Sequence, residues 1–157
     1  MTETVTQSWV ETVLEQHRHL QSVETDLKEF LYASRPKARQ KGSHTWAAEL
    51  SQRLLSLHDE LFRHFRFEEE AGMKEEILVN HPEVAGRFKE ILNEHSDLLS
   101  QLRGIVSDVL SYSEGVSLPD NRFRRRISDL LDEFSRHEEA ENHLFQRIEY
   151  RDLAAAD

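Results

Sequence analysis

LLSLHDELFRHFRFE, residues 54–68, decides the fold. Leu54, Leu57 and Leu61 stand three and four residues apart, the spacing of one face of an α-helix, and the same face continues through His64 and Glu68. Leu50 and Ala47 extend it upstream. This segment therefore reads as an amphipathic helix whose inward stripe ends in an imidazole and a carboxylate. A second stretch repeats the device. Phe123, Ile127, Leu130, Phe134, His137, Glu141, Leu144 and Ile148 form one stripe near the carboxyl end. Burying an imidazole and a carboxylate among leucines is costly unless something pairs with them.

Working outward, the chain divides into four long amphipathic segments. The first is expected to start at Ser8, where Ser8-x-x-Glu11 has the form of a capping box, and to reach Ala33. Its face carries Val10, Val13, His17, Leu20, Leu27 and Leu31. After a basic turn, Pro36 to Gly42, the second spans Ser43 to Ala71, with Gly72 as its stop. Residues 73–81 read as a connection with room for a short extra turn. Pro82 opens the third, where a missing N–H costs little, and Phe88, Ile91, His95, Leu98, Leu102, Ile105 and Val109 face inward. SYSEGVSLPDN (111–121) is a loop in which Asp120 or Asn121 can cap the fourth helix, which runs to about Tyr150. Short connections make neighbouring helices antiparallel, so the expected fold is all-α, an up-down-up-down four-helix bundle. Residues 1–157 are expected to form one domain with its core bundle over about 8–150.

Composition narrows the function. With no cysteine, disulfides, thiolate zinc sites, iron–sulfur clusters and a cysteine nucleophile are excluded. A formal charge of −10 argues against a nucleic-acid partner, and the basic run Arg122–Arg126 reads as a solvated helix start. The start, MTETVTQSW, is polar, and no apolar run approaches the ~18 residues of a membrane span. A soluble, cytoplasmic protein without a membrane partner is the expectation, as a monomer or weak dimer.

In an antiparallel bundle four histidines come to one level. His17 lies nine residues past Ser8, His64 eight before Gly72, His95 thirteen beyond Pro82 and His137 thirteen before Tyr150. At ~1.5 Å per residue all four lie about 12–20 Å from the same end. A lone histidine on an apolar face is ordinarily a hydrogen-bonded core residue. Four at one height, two followed by in-stripe glutamates, would leave a metal-free core badly unsatisfied. Imidazoles and carboxylates suit iron, manganese or zinc, and six groups are too many for one ordinary zinc ion. Two metals fit the count, one on His17 and His64, the other on His95 and His137, with Glu68 and Glu141 bridging. His19 competes with His17, but at ~100° per residue it points away from Val13, Leu20 and Leu31. His58 and His143 fall off their stripes, His81 sits at a helix start, and His44 is ~30 Å of helix from His64.

QHRHL in the first helix, HFRFEEE in the second, EHSDLL in the third and HEEAENHLF in the fourth resemble the hemerythrin-like, or HHE cation-binding, family over about residues 10–150. The resemblance implies a non-haem di-iron centre, oxo- or hydroxo-bridged, within a helical bundle, with His17, His64, Glu68, His95, His137 and Glu141 as its ligands. Other divalent metals are compatible with the same donors. Two departures separate this chain from the oxygen carriers of that family. Leu99 stands where they have a second third-helix histidine, and His137-x-x-x-Glu141 replaces their HxxxxD. The set is closer to members tied to iron sensing, nitric oxide or peroxide handling and repair of iron centres. Ferritin-like bundles, which use Glu-x-x-His, are set aside because no glutamate here precedes a histidine by three.

The leading expectation is thus a di-iron protein that binds or reacts with O₂, peroxide or nitric oxide, with a separate electron donor left open. A di-iron oxidase acting on a small organic substrate and a non-catalytic storage or metal-gated interaction module are the alternatives. Glu24, two turns past His17, is a candidate carboxylate beside the centre. Tyr32 and Tyr150 are candidate redox neighbours, and Glu69 and Glu138 are read as facing solvent or the groups around the ligands.

Overall fold

The amphipathic segments wind into helices and nothing else among the described residues, 5–33, 43–113 and 122–155 of a computed structural model. They are α1 (Val5–Ala33), α2 (Ser43–Glu70), α3 (Met73–Asn80), α4 (Pro82–Ser113) and α5 (Arg122–Ala155). The basic turn at 36–42 and the proposed caps Asp120 and Asn121 lie outside the described residues. Among those residues, no helix is long and apolar enough to cross a membrane.

Element ends depart from expectation in three places. Helix α1 starts at Val5 rather than Ser8, because Val5–Gln7 contain no glycine or proline to stop it, so Ser8 lies within the helix. Helix α4 continues through Ser113, with Ser111 Oγ donating to the Ser107 carbonyl 3.0 Å away, and α5 passes Tyr150 to reach Ala155. Residues 73–80, expected as a connection, form a helix of two turns. Met73 and Ile77 anchor it, being four apart and fully buried, while the adjacent Val79 is exposed and obscures the pattern.

Gly72 is the joint between α2 and α3. Its φ of 88° lies in the left-handed region, where a side chain costs about 1–2 kcal/mol. An added Cβ would also sit 3.4 Å from the Trp9 ring. Gly72→Ala should therefore lower the melting temperature by roughly 2–8 °C, as followed by circular dichroism. An unchanged melt would contradict the strained turn.

Contacts between α1 and α2 and between α4 and α5 run in opposite sequence directions. From α1 to α2, Phe30 stacks on Trp46 at one level and His17 meets His64 at another. From α4 to α5, Arg151 reaches Glu83 at 2.9 Å, His137 meets Glu94, Gln101 donates to Glu133, Arg126 pairs with Asp108, and Tyr112 packs on Phe123. The apolar interior falls into two clusters. One includes Leu20, Leu27, Leu54, Leu61, Leu98, Leu102 and Phe134. The other includes Val10, Val13, Ile77, Phe88, Ile91, Leu144 and Ile148. His17 falls between Val13 and Leu20, His95 between Ile91 and Leu98, and His137 between Phe134 and Leu144. A polar layer thus separates two apolar blocks.

Candidate metal centre

Six side chains make that layer: His17 from α1, His64 and Glu68 from α2, His95 from α4, and His137 and Glu141 from α5. All are buried, and both glutamates are 0% exposed. Helical spacing aligns each histidine–glutamate pair. His64 Nε2 lies 2.6 Å from Glu68 Oε1, and His137 Nε2 lies 2.7 Å from Glu141 Oε1. Glu141 also reaches across the layer, with Oε2 2.7 Å from His17 Nε2 and Oε1 3.5 Å from His95 Nε2. Phe65 stacks on His95 with ring centroids 3.8 Å apart and closes one side.

The four imidazoles are oriented alike. Each turns Nε2 towards the carboxylates and Nδ1 away from them. His17 Nδ1 donates to Asn142 Oδ1 at 2.9 Å, His64 Nδ1 to Gln16 Oε1 at 2.6 Å and His137 Nδ1 to Glu94 Oε2 at 2.7 Å. His95 Nδ1 lies 3.6 Å from Glu69 Oε1. With the proton on Nδ1, each Nε2 presents a lone pair to the interior, the tautomer a metal ion requires.

Orphaned atoms test whether a cation fits. Both oxygens of Glu68, both nitrogens of His95, His137 Nε2 and Glu141 Oε1 have no hydrogen-bond partner. His137 Nε2 and Glu141 Oε1 are close enough for a hydrogen bond but lack its angles. Donor atoms crowded together without bonding one another are what a shared cation resolves. Their charge states agree. Burial, and then the Glu141 carboxylate, holds Glu68 well above the usual carboxylate range. Burial pushes Glu141 in the same direction, but contacts from His137, His17, His64 and His95 hold it well below. Burial pushes His95 down, whereas Glu141 and Glu94 outweigh burial at His137 and raise it to about 9. One buried carboxyl keeps its proton while its neighbour is ionised, a state in which cations can replace protons.

Donor atoms gather in two groups: His17, His64, Glu68 and Glu141, and His95, His137 and Glu141. Glu141 belongs to both. Glu68, expected to bridge equally, leans to the first group, its Oε1 lying 4.0 Å from His95 Nε2. A cleft of about 350 Å³ lined by Glu94, Asp97 and Arg136 reaches His137, and another of about 300 Å³ lined by Gln16, Glu60 and Arg63 reaches His64.

A family model of the hemerythrin HHE cation-binding domain matches residues 9–153. The chain belongs to that family. No curated protein and no solved structure gives a significant match. A hemerythrin-family bundle with a buried His/Glu cluster is compatible with metal binding.

The remaining residues of this hemerythrin-family chain sort by burial. His19 is exposed and lies 2.7 Å from Glu60, so His17 alone of the two enters the layer. His143 is exposed, His58 stacks on Phe62, and His81 is buried as the C-cap of α3. His44 lies in the first turn of α2, twenty residues before His64. Leu99 is buried in the apolar cluster and brings no donor atom. Tyr32 and Tyr150 are 62% and 77% exposed, which rules them out as neighbours of the buried layer. Glu69 is 41% exposed at its side chain, on the outer side of His95.

Two buried carboxyls complete the picture. Glu24 is buried with Oε1 unpartnered, and burial, partly offset by Lys28, pushes it up to about 7. Glu138 is buried too, so of its two expected settings, solvent or the groups around the ligands, it takes the second. Burial and then the Glu24 carboxyl push it up to about 8, while His17 pulls it down. A signal for Glu138 existed. Leu131, Phe134, Glu138, Glu141, Phe145 and Ile148 are also spaced three and four apart, a second stripe overlapping the one anchored on Leu130 and His137.

Proposed function

We propose that the chain is a di-iron protein of an antiparallel up-down-up-down bundle that binds and reacts with O₂, peroxide or nitric oxide, in stress response, sensing or maintenance of iron centres. The observation that carries this reading is Glu141, a fully buried carboxylate common to two donor groups. His17, His64, Glu68 and Glu141 would hold one ion, and His95, His137 and Glu141 the other. Manganese and zinc suit the same donors, but the all-nitrogen and oxygen set with no thiolate is well matched to iron.

Two iron ions held there would supply one-electron redox change and a coordination position open to a small molecule. The protein supplies the rest. Asn142, Gln16 and Glu94 fix the tautomer and ring angle of three histidines. Phe65 and the apolar cluster around Leu99 limit water on the core side. Glu24 keeps a proton on its buried carboxyl up to about pH 7. Leu99 leaves the His95–His137 group with three donor residues, which favours reaction over reversible oxygen storage. The acidic surface and the family membership support a cytoplasmic monomer or weak dimer that takes electrons from a separate donor rather than from a nucleic-acid or membrane partner.

Metal analysis with optical spectra before and after dithionite tests this reading. About two irons per chain, near-ultraviolet charge-transfer absorption and irreversible oxidation by O₂ or rapid turnover of peroxide are expected. Reversible, slowly autoxidising O₂ binding in stopped flow would overturn the reactive assignment. One redox-inert ion per chain would overturn the di-iron assignment.

A further inference from the structure

The outer partners of the four histidines follow a repeated plan. Gln16 precedes His17 and bonds His64 on the next helix; Glu94 precedes His95 and bonds His137 on the next helix. Asn142 follows Glu141 and bonds His17; Glu69 follows Glu68 and approaches His95. The two halves of the layer are thus built alike, with one chemical difference. The acceptors behind His17 and His64 are neutral amides, whereas the acceptor behind His137 is a carboxylate, and the group nearest His95 Nδ1, 3.6 Å away and beyond hydrogen-bond distance, is a carboxylate too.

An acceptor behind a coordinating imidazole changes how strongly that imidazole donates. A carboxylate draws the Nδ1 proton towards itself and raises electron density at Nε2, and its negative charge favours a cation bound there. An amide fixes the ring without adding charge. Donor number differs as well, four residues in the amide-backed group and three in the carboxylate-backed group. The carboxylates therefore compensate with charge where a donor residue is missing.

We propose, on the basis of the two-metal reading above, that Glu94 is a positioning residue specific to the ion held by His95 and His137, acting through the charge it places behind His137. Gln16 is its uncharged counterpart for the ion held by His17 and His64. Each residue acts on one ion through one histidine.

The test uses the full chain, stripped with chelator and titrated with Co²⁺ by calorimetry and by visible ligand-field absorption. Wild type should take up two ions in separable steps. Glu94→Gln keeps the hydrogen bond and removes the charge, so one step should weaken about 10–100-fold while the other stays within about threefold. Gln16→Glu adds the charge to the other half and should tighten the other step about tenfold. Glu94 is about half exposed at its side chain, and an unchanged metal-free melt confirms that E94Q is folded. Should E94Q fail to fold, Q16E decides alone. A variant that shifts both steps alike, or neither, overturns the assignment of Glu94 and leaves the two-metal reading standing. Wild type that binds fewer than two ions overturns that reading, and the assignment of Glu94 with it.

Discussion

Glu141→Ala should lose the ion of the His95–His137 group and bind the other weakly, whereas Glu68→Ala should keep the His95–His137 ion. The asymmetry follows from the donor groups. Removing Glu141 leaves His95 and His137 without a carboxylate and reduces the other group to His17, His64 and Glu68. Removing Glu68 leaves the three-residue group intact. Stability should change too. Glu141 lies within 4 Å of all four imidazoles and is the ionised member of the carboxyl pair. Without it, the positive charge on His137 keeps only the half-exposed Glu94 carboxylate beside it, and breaking a buried pair in this way costs about 3–5 kcal/mol. In a chain of 157 residues that is roughly 6–20 °C of melting temperature in metal-free protein. Metal adds to the contrast, since a ligand at about a thousand times its Kd stabilises the native state by about 4 kcal/mol, which the variant forfeits for at least one ion. Metal content by mass spectrometry, with melts in chelator and in Fe²⁺, gives both numbers. Full metal content and a wild-type melt for E141A would remove the basis for a shared carboxylate.

Legibility in the sequence followed the physics of each feature. Leu50, Leu54, Leu57 and Leu61 made α2 readable because a buried helix face must be apolar every three or four residues, and all four are buried. His17, His64, His95 and His137 were readable because a polar residue in such a face breaks a strong rule, and the structure gathers them with Glu68 and Glu141 into one layer. Helix α3 was obscured because Leu78 and Val79 follow Ile77 directly, so a two-turn segment with two anchors had no clear period. Glu138 was left between solvent and the groups around the ligands because α5 buries two overlapping stripes at a crowded layer, while a single stripe accounts for an ordinary surface helix. Gln16, Glu94 and Asn142 were beyond reach for another reason. Each bonds a histidine on a different helix, and one-dimensional spacing carries no information on which neighbour a half-exposed polar side chain will meet.

Glu24→Gln should flatten the pH dependence of stability and make the protein more resistant to heat than wild type above neutral pH. Burial raises the Glu24 carboxyl from 4.5 to about 7. Between those values the folded protein holds a proton that the unfolded chain releases, so wild-type stability falls as pH rises through this window and levels off above about 7. A shift of this size corresponds to about 3 kcal/mol, or roughly 6–12 °C at this chain length. The neutral amide does not titrate and escapes that loss. Glu138 reinforces the effect, because part of its own rise comes from the Glu24 carboxyl. A buried amide must itself be hydrogen-bonded, and an unmet bond would cost about 1–3 kcal/mol at every pH. The decisive quantity is therefore the slope and not the absolute melting temperature. Metal-free wild type and E24Q melted in chelator at pH 5 and pH 8 should differ in slope, wild type falling more across the interval. Parallel slopes would mean that Glu24 is ionised in the folded protein without penalty. Two buried carboxyls, Glu24 and Glu138, each with an unpartnered oxygen, are an expense that packing alone would replace with leucine. Their place beside the six side chains of the His/Glu layer is accounted for if the site needs exchangeable protons in a volume that excludes water.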